Sequence, residues 1–273
     1  MKAIILLILA IASISEITAG QKISDKKIVI IRDDDVFKLE PGLEWLTTFS
    51  VNNNINITYA VIPILIASKN VDKTIIDNLT KLIDNRNNIE LATHGYDVLG
   101  GLPYDVQYSL IDNGTKLMEQ YFGSRLYTFI SPHGSCDLNT TKACRDLGYH
   151  SISGIAVNDS YLPNFLTNFY WEDYSISNLP NYRIQHIKFS TFVSMFDRFY
   201  NSSNEIYVTQ MHHATWCNQS GEINTTQIKI FENSIAYMKS KNVEFMTMEQ
   251  AYRLIYLDSS PTYFVNCQNA GGN

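Results

Sequence analysis

Short apolar runs bounded by charge alternate along this chain with longer stretches whose apolar residues recur every three or four positions. Lys26 to Arg32 (KKIVIIR) reads as a buried strand, and Asn56 to Ile62 as a second. Between them Gly42 to Val51 carries Leu43, Leu46 and Phe49 at helical spacing. Val71 to Ile83 repeats the helical signal, with Val71, Ile75, Ile76, Leu79, Leu82 and Ile83 on one face. The pattern then predicts strands over 89–92, 126–130, 151–156, 206–211 and 243–246. It predicts helices over 104–122, 139–147, 192–200 and 225–239. Asn113-Gly114 weakens the first of these, Asn139 or Thr140 caps the second, and Ser190 caps the third. Strands separated by helices imply parallel βαβ units. About seven such units favour a distorted, incomplete (β/α) barrel over an open sheet.

Composition narrows the class. The 273 residues are 45% apolar and 18% charged, with a net charge of −6 and the two signs interspersed. No basic groove is suggested, so nucleic acid is not an expected partner. Lys2 followed by the apolar run Ala3 to Ala12 and the small residues near Thr18-Ala19-Gly20 predicts a signal peptide over residues 1–20. One catalytic domain is expected over 21–273, in a secreted protein with no membrane span. Asn56, Asn78, Asn113, Asn139, Asn158, Asn201, Asn218 and Asn224 each open an Asn-x-Ser/Thr acceptor, which agrees with export as a glycoprotein. Cys136, Cys144, Cys217 and Cys267 form no CxxC pair. Two disulfides are expected outside the cell, and proximity along the chain favours Cys136–Cys144 with Cys217–Cys267.

In a (β/α) fold the carboxyl-terminal ends of the strands carry the chemistry. The first strand ends in Asp33-Asp34-Asp35, three adjacent carboxylates that repel unless a cation or base chemistry uses them. The strand ending at Ala92 runs into Thr93-His94-Gly95-Tyr96-Asp97. The strand ending at Ile130 leads into the tight turn Ser131-Pro132-His133-Gly134, and 206–211 delivers His212-His213. Together these ends offer carboxylates and imidazoles for a metal, with an acid and a base to spare.

The order IRDDDV, TYAVIP, ELATHGYD, FISPHG, TQMHH and VEFMTMEQA resembles the polysaccharide deacetylase family (carbohydrate esterase family four), most closely a divergent branch of it, over roughly Lys26 to Tyr256. The resemblance implies Asp34 as general base, Asp35 and His94 as metal ligands, and His212 as general acid, with His213 as its alternative. Pro132 and His133, with His213, would line the substrate groove. Two positions depart from the family pattern. Its second metal histidine falls at Val98, so that Asp97 would have to serve as the third ligand, and the arginine that orients its base falls at Ile130.

The expected activity is removal of N-acetyl groups from the sugars of a glycan or polysaccharide, assisted by one divalent metal. Zinc is the first choice for mixed nitrogen and oxygen ligands, and iron, cobalt or nickel would fit the same set. Two other readings stay open: a catalytically degenerate glycan-binding member of the same fold, and a hydrolase of another small amide. The pattern leaves the oligomeric state undetermined.

Overall fold

A computed structural model describes residues 26–68, 73–85, 88–95, 98–155, 157, 162–173, 185–218 and 220–257. The leader, Asp97 and Cys267 lie outside the described residues. The strands are β1 (Ile28–Val36), β2 (Ile57–Val61), β3 (Ile89–His94), β4 (Thr128–Ile130), β5 (Ser151–Ser153), β6 (Phe169–Tyr170), β7 (Glu172–Asp173), β8 (Gln185–His186), β9 (Ile206–Met211) and β10 (Glu244–Met246). The α-helices are α1 (Pro41–Asn53), α2 (Pro63–Ser68), α3 (Lys73–Asn85), α4 (Tyr104–Phe122), α5 (Leu138–Asp146), α6 (Phe189–Tyr200), α7 (Thr225–Ser240) and α8 (Met248–Tyr252).

Seven parallel strands, in the order β5, β4, β3, β2, β1, β9, β6, curl into a half-barrel, and β10 pairs with the start of β1. This is the incomplete α/β barrel that the alternation of elements implies. The alternation of side chains along β1 splits the core in two. Ile28 and Ile30 face inward onto Ala60, Ala92, Ile130, Val208 and Met248. Val29 and Ile31 face outward onto the helix layer, in a cluster that includes Leu43, Leu46, Phe192 and Phe231. Trp171 and Trp216 are buried in that outer layer, and Trp45 packs against it. Trp171 and Trp216 are therefore core residues. Among the described residues no helix is long and apolar enough to cross a membrane.

Several local expectations change. Helix α4 runs unbroken through Asn113-Gly114, which lies where the helix meets Pro63 and Thr93; a Cβ on Gly114 would sit 3.5 and 3.6 Å from their side chains. Asp137, rather than Asn139 or Thr140, caps α5, and it shares a reciprocal capping box with Thr140. Helix α6 starts after Lys188, so Ser190 lies inside its first turn. The two-residue strands β6, β7 and β8 are too short to leave a periodic signal.

The Cys136–Cys144 disulfide is not formed: both residues are free thiols, as is Cys217. Cys136 precedes the α5 cap and Cys144 lies deep in that helix, roughly 9 Å of helical rise beyond its first residue. The Cys144 thiol instead packs beside Leu99, Phe129 and Ile152.

Candidate active site

Three adjacent carboxylates coexist at the end of β1 because each faces a different partner. The register between β1 and β2 runs Asp33 to Tyr59 and then Val36 to Val61, so β1 holds one extra residue there. Such a bulge re-aims side chains at a sheet rim. Asp35 takes up the irregularity with φ 62°, a left-handed conformation uncommon outside glycine. Its carboxylate is 51% exposed, whereas Asp33 and Asp34 are buried.

Asp34 points into the barrel. Its Oδ1 accepts from Arg32 Nε at 2.8 Å and its Oδ2 from Arg32 Nη2 at 2.9 Å. Asp33 points outward and accepts twice from His213, from the backbone N–H at 2.7 Å and from Nδ1 at 2.8 Å. The far nitrogen of His213, Nε2, lies 3.4 Å from Glu40 Oε2. Burial alone would lower His213, but Asp33 and Glu40 outweigh it and push it up to about 10. His213 is 1% exposed, so this ring holds Asp33 and α1 rather than lining an open groove.

Asp35 stands between His94 and His212. His94 Nε2 is 3.3 Å from its Oδ1, and His212 Nε2 is 3.7 Å from its Oδ2. Burial would raise Asp35, but the His94 hydrogen bond and the neighbouring imidazoles bring it below its ordinary value. His94 Nδ1 lies 2.8 Å from the carbonyl of Ile130, which can only accept, so Nδ1 carries a hydrogen. In the neutral ring the Nε2 lone pair then faces a carboxylate, an arrangement favoured only with a proton or a cation between them.

His212 has a partner that the sequence pattern does not reveal. Glu172, buried at the start of β7, accepts the His212 backbone N–H at 2.7 Å and lies 3.5 Å from Nδ1. Burial would lower His212, but the hydrogen bond and charge of Glu172, with Asp34 and Asp35, push it up to about 9. The only trace in the sequence is the alternation Phe169, Tyr170, Trp171, Glu172, in which the acid follows a buried aromatic.

The turn after β4 stands beside these groups. Pro132 is buried against Gly95, where a Cβ would lie 2.8 and 2.9 Å from the proline ring, so only glycine fits after His94. His133 is exposed with φ 52° and is one of the imidazoles that lower Asp35. Val98 is 50% exposed. Asp34, Asp35, His94, His133 and His212 are thus brought together at the strand ends, and His213 is set apart behind Asp33. Among the described residues no group of three metal-binding side chains is set for an ion. Asp35 and His94 supply two donors of suitable chemistry.

No family model matches this sequence, and no curated protein matches it. Solved structures do match. A candidate polysaccharide deacetylase from Mycobacterium smegmatis superposes with a TM-score of 0.65 at 14% identity, over 89% of this chain and 95% of that one. A CE4 family pseudoenzyme from Bacillus anthracis gives 0.57 at 10% identity, over 84% of this chain, and this chain spans 66% of its length. A family 4 acetyl xylan esterase from Clostridium thermocellum, in complex with a cobalt ion, gives 0.51 at 13% identity, over 84% and 91%. The chain has the fold of the CE4 polysaccharide deacetylases, a fold shared by enzymes and by a pseudoenzyme.

Proposed function

We propose that this protein is an exported hydrolase that removes acetyl groups from the N-acetylated sugars of a glycan. The observation that carries the reading is the convergence of Asp34, Asp35, His94 and His212 at the ends of β1, β3 and β9, each with a fixed partner. Asp34 is the general base. Arg32 engages one direction of each carboxylate oxygen, and each oxygen keeps a second lone pair to take a proton from the attacking water. His212 is the general acid, held protonated by Glu172 and able to donate to the departing sugar nitrogen. Asp35 and His94 would hold a divalent metal, zinc first, with Asp97 as the third ligand. When bound, such an ion polarises the acetyl carbonyl and acidifies water.

The test is acetate release from N-acetylglucosamine oligomers by metal-supplemented protein, with Asp34→Asn and His212→Ala as controls. Wild type should release acetate and both variants should lose at least a hundredfold in kcat, within the roughly 10²–10⁴-fold range of acid–base catalysis. A second reading, a glycan-binding protein without catalysis, draws on Val98 at the family's histidine position. Oligomer binding by wild type with no acetate release would select it and overturn the first.

A further inference from the structure

We infer that Arg32 is the residue that positions Asp34 for catalysis, delivered from the same strand as the base; the inference rests on the deacetylase reading. Residues two apart on a strand point to the same face, so Arg32 and Asp34 both enter the barrel interior. Arg32 is 1% exposed and four of its hydrogen bonds fix it from three strands. Nε and Nη2 hold the two oxygens of Asp34 on β1, at 2.8 and 2.9 Å. Nη2 also donates to Gln210 Oε1 on β9 at 2.6 Å, and Nη1 donates to Ser153 Oγ on β5. Ser153 in turn donates to the carbonyl of Phe165. The guanidinium cannot rotate without breaking contacts on all three strands.

This arrangement accounts for Ile130. The resemblance places an orienting arginine at that position, yet Ile130 is fully buried in the interior cluster with Ile28, Ile30, Ala60 and Ala92. Ile28 and Ile30 are the residues that precede Arg32 on the same face of β1. The interior beneath Arg32 is closed with these aliphatic side chains. A two-point fork fixes the plane of the carboxylate and so the direction of its free lone pairs. A lysine at position 32 would supply charge at one point and leave that plane free to turn.

The experiment combines kinetics, stability and a direct view of the pair. Acetate release by metal-supplemented wild type and Arg32→Lys is measured alongside thermal unfolding. The Arg32 Nε–H resonance is followed by nitrogen-15 NMR in wild type and Asp34→Asn. Arg32→Lys should lose at least tenfold in kcat, with KM within threefold and a melting temperature close to wild type. The Nε–H signal should be protected from exchange in wild type and lose that protection in Asp34→Asn. Should Arg32→Lys prove too unstable to assay, Ser153→Ala, which frees Nη1 alone, should lower kcat severalfold at constant KM. Active wild type with unchanged kcat in Arg32→Lys, or unchanged kcat in Ser153→Ala where that variant replaces it, overturns the positioning role alone. A signal indifferent to Asp34→Asn overturns the pair itself. A protected signal in a wild type that releases no acetate overturns the deacetylase reading, and the positioning role with it.

Discussion

Adjacent histidines at the end of β9 should separate cleanly on substitution, because the strand sends their rings to opposite sides. In His213→Ala, Asp33 keeps the backbone N–H of residue 213 but loses the ring bond at 2.8 Å and the ion pair it makes with that imidazole. Removing one partner of a buried ion pair costs about 3–5 kcal/mol. Domains of ordinary stability have about 5–15 kcal/mol in total, so this change takes a large share. In His212→Ala the ring lost is 20% exposed, and Glu172 keeps the backbone N–H and the Thr215 hydroxyl. The loss there should be about 1–2 kcal/mol. Urea unfolding monitored by tryptophan fluorescence measures both. The pH dependence supplies the sharper check. His213 is raised from 6.5 to about 10 in the folded chain. A raised histidine contributes stability that is fully present below its unfolded value and is lost as pH climbs through the folded one. The gap between wild type and His213→Ala should therefore be widest near pH 6 and shrink between pH 6.5 and 10. Under conditions where both variants are folded, His212→Ala should lose roughly 10²–10⁴-fold in kcat. A His213→Ala variant that costs under about 1 kcal/mol, or a gap constant across that pH range, would refute the assignment of the two rings.

Two further outcomes are expected. Asp35→Ala and His94→Ala should each abolish stoichiometric binding of a divalent metal, measured by titration calorimetry with zinc; Val98→His, at an exposed position, should tighten it by about 10–100-fold. Gly95→Ala should destabilise the chain by about 1–3 kcal/mol, because its Cβ meets the Pro132 ring at 2.8 Å; chemical denaturation measures this, and an unchanged midpoint would show that the turn can retreat.

Hydrophobic periodicity alone determines most of the architecture, because burial against a helix layer is a local demand on spacing. Ile28 to Ile31 can satisfy two faces only as a strand buried on both, and the repeat of that pattern between amphipathic helices leads to parallel βαβ units. The chemistry at the strand ends is also legible, since Asp34, Asp35, His94 and His212 lie within four residues of the ends of apolar runs. What periodicity does not contain is direction at a rim. Only the bulge in β1 sends three consecutive aspartates to three partners, and only the packing of β9 against β1 buries His213 behind Asp33 while leaving His212 beside Asp35. Glu172 and Arg32 become part of the site through contacts 40 residues away in sequence from His212 and 121 from Ser153. The same holds for the cysteines: nearness along the chain favours Cys136–Cys144, but both stay free thiols, with Cys144 packed into the core. Local pattern fixes which residues are buried; which buried polar groups meet is decided by the closure of the barrel, which brings distant strands together.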